Sequence, residues 1–249
     1  MSTDGIKKCN ILGVRIAAVN MDMLIDVINE NIESFKGEYI CVSNVHTTVM
    51  AYDNKDYMDI QNSSILSIPD GGPLSTLGRK KGFNEMKRTT GPDLLEQVLR
   101  ISGKYKYKHF FYGSSTNTLE KLKNEIINKY GNLNIVGMYS PPFRELTDVE
   151  DRDVINMINE ANPDFVWVGL GAPKQEYWMY AHKHKIKGLM IGVGAAFDYL
   201  AGNIKRAPMW MQKLNLEWLY RLMQDPVRLF SRYLYTNLKF IIHAVILKK

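Results

Sequence analysis

Cysteine is scarce in this chain of 249 residues. Only Cys9 and Cys41 occur, too few for a disulfide framework and without the spacing of a metal-thiolate site. No stretch approaches the roughly 18 consecutive apolar residues that a membrane-spanning helix needs. The longest candidate, Phe240 to Leu247, is short and contains His243. The opening MSTDGIKKCN has no apolar run after its lysines, unlike a secretory signal. GxSxG, the Walker lysine motif and any Cys/His cluster are missing as well. These absences lead to the expectation of a soluble intracellular protein. With 45% hydrophobic and 23% charged residues, the composition excludes a disordered chain, a collagen-like repeat or a coiled-coil rod.

Charge is present but unevenly placed. The net charge is +6, yet the last 47 residues, Asn203 to Lys249, carry +7 and the first 202 carry −1. Lys205, Arg206, Lys213, Arg221, Arg228, Arg232, Lys239, Lys248 and Lys249 face only Glu217 and Asp225 there. A neutral body with a basic, aromatic tail implies an anionic partner at that end: a membrane surface, phosphates or nucleic acid.

Short apolar runs alternate with helical stretches. Candidate strands are Tyr39–Ser43, Ile65–Pro69, His109–Tyr112, Asn134–Met138, Asp164–Gly169 and Gly188–Val193. Runs such as FVWVG and LMIGVG are apolar without alternation, as in a central parallel sheet covered on both faces. The spacing predicts helices over 117–130 with Thr116 as N-cap, over 147–160 opened by Thr147, and from Pro173 to about His184. The fold class is therefore α/β, a Rossmann-like and mostly parallel sheet with helices on both faces. Residues 1–202 form that core and 203–249 a basic helical appendage. Within the appendage, helices are expected over 213–224 and 227–247, broken at Asp225-Pro226. On a helical wheel Arg228, Arg232, Lys239 and His243 make one narrow basic stripe on a broadly apolar surface. Such a helix suits packing on a domain or lying at a membrane interface.

In open parallel sheets ligands bind beyond the carboxyl ends of the strands. Four such ends supply Ser43-Asn44-Val45-His46, Asp70-Gly71-Gly72, Gly169-Leu170-Gly171-Ala172-Pro173-Lys174-Gln175-Glu176 and Gly194-Ala195-Ala196-Phe197-Asp198. Asp70 can be a general base, a sugar-hydroxyl acceptor or only a cap for the next helix. Gly169-x-Gly171 can cradle a phosphate, but GLGAPK and GVGAAF both lack the third glycine of a dinucleotide fingerprint. Asp151-Arg152-Asp153, similar to a DxD metal motif, falls inside a helical pattern and reads as a solvated face. His182 and His184 have no neighbouring carboxylate in sequence and read as surface. Arg88, ahead of Thr89-Thr90-Gly91-Pro92-Asp93, is a loop cation suited to an anionic oxygen.

Together these segments resemble the WecG/TagA/CpsF family of bacterial glycosyltransferases. The matching residues are Ser43-Asn44-Val45-His46, Ile68-Pro69-Asp70-Gly71, Arg88-x-x-Gly91-Pro92-Asp93, Val168 to Glu176 and Ile191 to Gly202. They continue through Arg206-Ala207-Pro208-x-Trp210-Met211 and Leu216 to Leu222, so that the resemblance spans about residues 10 to 235. It implies inverting, metal-independent transfer of a sugar from a UDP-sugar to a polyprenyl-diphosphate-linked sugar, in cell-surface glycopolymer synthesis. The enzyme would sit peripherally on the cytoplasmic face of the membrane. Asp70 maps to the proposed base, and Arg88 and Gln175 map to the pocket. Arg221 and Arg228 map to cations that meet the lipid diphosphate, to which Arg206 and Arg232 add charge. Asn44, Asp93, Gly171, Glu176, Gly194 and Asp198 complete the expected substrate-binding set. Val42 departs from the pattern, because members that make wall teichoic acid linkages tend to have Thr there. No cofactor and no nucleic acid is expected, and a homo-oligomer is left open. Two other classes are kept: another nucleotide-binding α/β enzyme, and an anion-binding module without catalysis.

Overall fold

The computed structural model describes residues 5–247. Lys248 and Lys249 of the basic tail, and the first four residues of the opening segment, lie outside the described residues. The chain begins with β1 (Lys8–Ile11), β2 (Val14–Ala17), α1 (Met21–Phe35), β3 (Tyr39–Ser43), α2 (Val45–Asp53), α3 (Lys55–Ser63) and β4 (Leu66–Pro69). It continues through α4 (Gly72–Lys80), α5 (Gly91–Tyr105), β5 (Lys108–Gly113), α6 (Thr116–Tyr130), β6 (Asn134–Tyr139) and α7 (Asp148–Ala161). Then come β7 (Phe165–Gly169), α8 (Lys174–Ala181), β8 (Leu189–Gly192) and α9 (Ala196–Leu200). Beyond residue 202 the chain is helical: α10 (Met209–Lys213), α11 (Glu217–Gln224) and α12 (Pro226–Phe240), continued by a π-helical turn, Ile241–Ile246.

The strands lie in the order β1-β2-β4-β3-β8-β7-β5-β6, with only β1 antiparallel to its neighbour. The unbroken apolar runs of β3, β7 and β8 have a direct reason, since each of these strands feeds two cores. Ile40, Phe165, Trp167, Leu189 and Ile191 pack on one side with Leu24, Leu95 and Leu122. Tyr39, Cys41, Val166, Val168 and Met190 pack on the other with Val154, Ile158 and Met179. Successive strand residues point to opposite faces, so both sets must be apolar.

Sidedness also places the site. Helices α1, α5, α6 and α9 pack against one another, and α2, α3 and α8 form a separate layer. Adjacent strands β3 and β8 therefore send their following helices, α2 and α9, to opposite sides. That divergence opens a crevice at their carboxyl ends. The four strand ends singled out from sequence belong to β4, β3, β8 and β7, which are consecutive in the sheet.

Several expectations shift. No strand is expected before Tyr39, yet β1 and β2 form a hairpin whose turn residues, Leu12 and Gly13, both have positive φ. The signal was faint because Leu-Gly replaces the usual Asn-Gly. Ser115, not Thr116, caps α6, while Thr147 and Glu150 form a capping box on α7. The helix expected from Lys213 is split at Asn215, whose φ is 60°. His182 is not on the surface: it is buried, stacks on Trp178 and meets Asp151 Oδ1 at 2.9 Å. Asp151 thus uses its carboxylate inside the fold, although Arg152 and Asp153 are exposed. At the β5–β7 edge the backbones come so close that a Cβ on Gly113 (φ +119°) would lie 2.7 Å from the Gly169 carbonyl, and only glycine fits.

Candidate active site

Asp70 follows the last residue of β4. Its N–H donates to the Ser43 carbonyl at 2.7 Å, which extends the ladder by one residue. Gly71 (φ +105°) then turns the chain into α4, whose start receives no side-chain cap. The capping alternative for Asp70 is thereby removed. Its carboxyl instead accepts a hydrogen bond from Asn44. Asn44 is held rigidly, since its Oδ1 accepts from Thr47 N at 3.1 Å and its own N–H donates to Thr47 Oγ1 at 2.9 Å. Burial pushes the Asp70 carboxyl up to about 6. Glu217 pushes the same way, while Arg88, Arg221 and the Asn44 hydrogen bond pull down.

Beside Asp70 lies a closed ring of alternating charge. Arg88 Nη2 pairs with Glu217 Oε2, and Arg206 Nε lies 3.7 Å from Glu217 Oε1. Arg206 Nη1 donates to Asp93 Oδ1 at 2.6 Å, and Arg88 Nη1 lies 3.7 Å from Asp93 Oδ2. Burial alone would raise the Asp93 carboxyl, but Arg206, Thr90 and Arg88 outweigh it and hold it below the ordinary range. Two members come from the core and two from the appendage, so the ring fastens one to the other. Gly72 makes room for the joint, because a Cβ there would sit 2.0 Å from the Asn215 side chain.

Arg221 is different. Among the described residues its side chain forms no ion pair or hydrogen bond. Its guanidinium lies 5.8 Å from the Tyr199 ring centroid and is under the influence of Tyr233, Asp70 and Glu217. Tyr199 also meets Arg206, at 6.0 Å, and its buried hydroxyl has no partner. A cation without a salt bridge thus faces the raised carboxyl of Asp70.

The chain matches the sequence profile of the "Glycosyl transferase WecG/TagA/CpsF family" over residues 9–249. It belongs to that family. Among its relatives is an N-acetylglucosaminyldiphosphoundecaprenol N-acetyl-β-D-mannosaminyltransferase of Bacillus subtilis (strain 168), 34% identical over 212 residues, or 84% of this chain and 80% of the relative. Proteins of the same name from Bacillus spizizenii and Staphylococcus aureus (strain MW2) are 29% and 28% identical. These cover 78% and 88% of this chain and 74% and 85% of their own. The protein is therefore a glycosyltransferase.

The geometry of this WecG/TagA/CpsF chain gives several expected site residues other work. Glu176 is fully buried and accepts from Gln175 Nε2 at 2.8 Å. Burial raises its carboxyl pKa, and Oε2 has no partner. Its carboxylate is enclosed within the fold. Gln175 is buried too, with its Oε1 taking the Gly194 N–H at 3.0 Å, so it ties α8 to the loop after β8. Asp198 accepts from Asn203 Nδ2 at 3.0 Å and holds the start of the appendage. Arg206 is held in the ring by Asp93 and Glu217. Gly171 (φ +77°) has open space around it. Arg228, 62% exposed, is paired only with Asp225, and Arg232 is exposed. Sequence reasoning missed Glu217, Tyr199 and Tyr233. Glu217 lies within the matching segment Leu216 to Leu222, but nothing in one dimension pairs it with Arg88, 129 residues away.

The appendage packs on the core. Leu229, Thr236, Phe240 and Ala244 are buried, the last two in the cluster beneath α2. Lys239 and Tyr235 both bond Asp53 at the end of α2. The opposite side of α12 leaves Phe230, Leu234, Leu238, Ile241 and Val245 exposed. No helix among the described residues is long and apolar enough to cross a membrane.

Proposed function

We propose that this protein transfers an N-acetylhexosamine, with N-acetylmannosamine the first expectation, from its UDP derivative to a prenyl-diphosphate-linked N-acetylglucosamine at a membrane surface. The observation that carries the reading is the pairing of an uncapped carboxyl, raised to about 6, with the unpaired Arg221 at the crevice of the sheet. The printed names of the relatives support the acceptor and the sugar. Asp70 takes the proton of the acceptor hydroxyl as its oxygen bonds to the anomeric carbon. The bond to UDP breaks on the opposite face, which inverts the centre. Charge growing on the departing diphosphate is met by Arg221, with Arg88 at the rim of the ring. Arginines carry this charge in the reading, and no metal is invoked.

The test is UDP release from UDP-N-acetylmannosamine, UDP-N-acetylglucosamine and UDP-glucose, with and without a short-chain prenyl-diphosphate-N-acetylglucosamine. Acceptor-dependent release from the mannosamine donor is the expected result. Because Val42, in the position where a threonine is usual, packs into the core, release from the glucosamine donor instead would revise the sugar and keep the reaction. Release from none, with no UDP binding by calorimetry, would end the proposal.

Membrane association is part of the same proposal. Phe230, Leu234 and Leu238 recur every four residues along an exposed stripe, and Arg228 and Arg232 are exposed on another face of the same helix. Each arginine near an anionic surface contributes about 1 kcal/mol, or roughly fivefold in binding. In vesicle sedimentation, Arg228→Ala with Arg232→Ala is expected to weaken binding to anionic vesicles by about 25-fold. Binding to neutral vesicles should barely change. Equal loss on both would refute the electrostatic part.

A further inference from the structure

We infer that Glu217 is a positioning residue for the transfer: it aims the Arg88 guanidinium at the crevice and sets the charge state of Asp70 from the appendage side. The inference rests on the functional reading given above. Its support is geometric. Glu217 is the one acidic residue of α11, and its two oxygens face two different arginines, Arg88 of the core loop and Arg206 of the appendage. Both guanidinia are about one-fifth exposed, so neither is freely solvated. Without Glu217, Arg88 would keep only Asp93, at 3.7 Å and already bonded by Arg206 and Thr90. A guanidinium with one distant partner has several rotamers open to it, and misplacement of about 1 Å at a catalytic site can cost about 10²-fold.

Asp70 feels the same residue. The groups facing it are Asn44 from the β3–α2 turn, Arg88 from the loop before α5, Glu217 and Arg221 from α11, and Tyr233 from α12. Arg88 and Arg221 favour its ionised form, and Glu217 is the anion that opposes them. Removing that anion leaves two cations unopposed, so the carboxyl becomes a weaker base. A purely structural clasp would lower activity on loss but would leave the titration of Asp70 where it was.

The experiment compares wild type, Glu217→Gln and Glu217→Asp, using UDP-N-acetylmannosamine and the prenyl-diphosphate acceptor. Glu217→Gln is expected to lower kcat about 10- to 100-fold and to move the acidic limb of kcat/KM to lower pH. Glu217→Asp keeps the charge with a shorter reach. It should lose rate while its acidic limb stays near the wild-type position. Carboxyl carbon NMR of Asp70 provides a readout that needs no turnover, and its midpoint should fall in Glu217→Gln. If wild type turns over no donor, the functional reading fails, yet the NMR titration still tests Glu217. An unmoved Asp70 midpoint in Glu217→Gln overturns the inference, as does a Glu217→Asp limb displaced as far as that of Glu217→Gln.

Discussion

Asp70→Asn is expected to lower kcat/KM by about 10²–10⁴ and, at pH 7, to unfold at a higher temperature than wild type. Both effects follow from one cause. The carboxyl sits at the end of a buried strand, where loss of water raises it to about 6 from an ordinary 3.8. The base must be ionised to accept a proton, so wild-type kcat/KM should rise with pH through a midpoint near 6 and level off above it. The stability sign is the reverse. Between pH 4 and 6 the unfolded chain gives up this proton more readily than the folded one, so stability falls as pH rises through that window. Above pH 6 the folded state carries the full cost, on the order of 1–3 kcal/mol. Asparagine has no such cost, and its advantage in melting temperature should be present at pH 7 and absent near pH 4. A stability gain accompanied by lost activity marks strain held for function. Wild-type transfer by Asp70→Asn would sink the base assignment, and a variant less stable at pH 7 would show that the carboxylate serves the fold.

The parts of this fold that sequence showed are those governed by local physics. Strands such as Phe165–Gly169 are apolar at every position because two layers cover them, and that pattern survives in one dimension. Thr147 announces the start of α7 from sequence alone, and Glu150 completes its capping box in the fold. The four strand ends could be named as one edge because a parallel sheet aligns all its carboxyl ends. What stayed hidden depends on distance in space. His182 looked solvent-facing because its partner, Asp151, lies 31 residues earlier. Glu176 and Gln175 sit in a glycine-rich strand end, and α8 turns both inward, where they bond one another and Gly194, an arrangement no spacing announces. The appendage is the clearest case. Its helical wheel allowed docking on the core or lying on a membrane, and the folded chain docks one face of it on the core and leaves another exposed. Leu229 and Phe240 go inward, while Phe230 and Leu234 stay out.

Arg221→Ala should reduce kcat about 10²–10³-fold with little loss in stability. The prediction turns on what Arg221 lacks. Arg88 and Arg206 each have a carboxylate, so the ring they form is neutral, and breaking it leaves an unpaired charge behind. Arg221 has none among the described residues, and desolvation works against its charge. Tyr199, Tyr233, Asp70 and Glu217 outweigh that desolvation and keep the guanidinium firmly protonated. Among the described residues no salt bridge or hydrogen bond occupies its side-chain donors, so the guanidinium is open to an anion that arrives from outside. The diphosphate of the donor, gaining charge as it leaves, is such an anion. Arg221→Lys separates charge from shape. A lysine keeps the charge as a point but loses the planar fork that meets two oxygens at once, so it should recover part of the rate and not all of it. Thermal melting beside steady-state kinetics makes the comparison. If Arg221→Ala loses stability and rate in proportion, the arginine holds the appendage in place and the diphosphate role falls. If rate alone is lost, the unpaired guanidinium is what the appendage brings to the crevice.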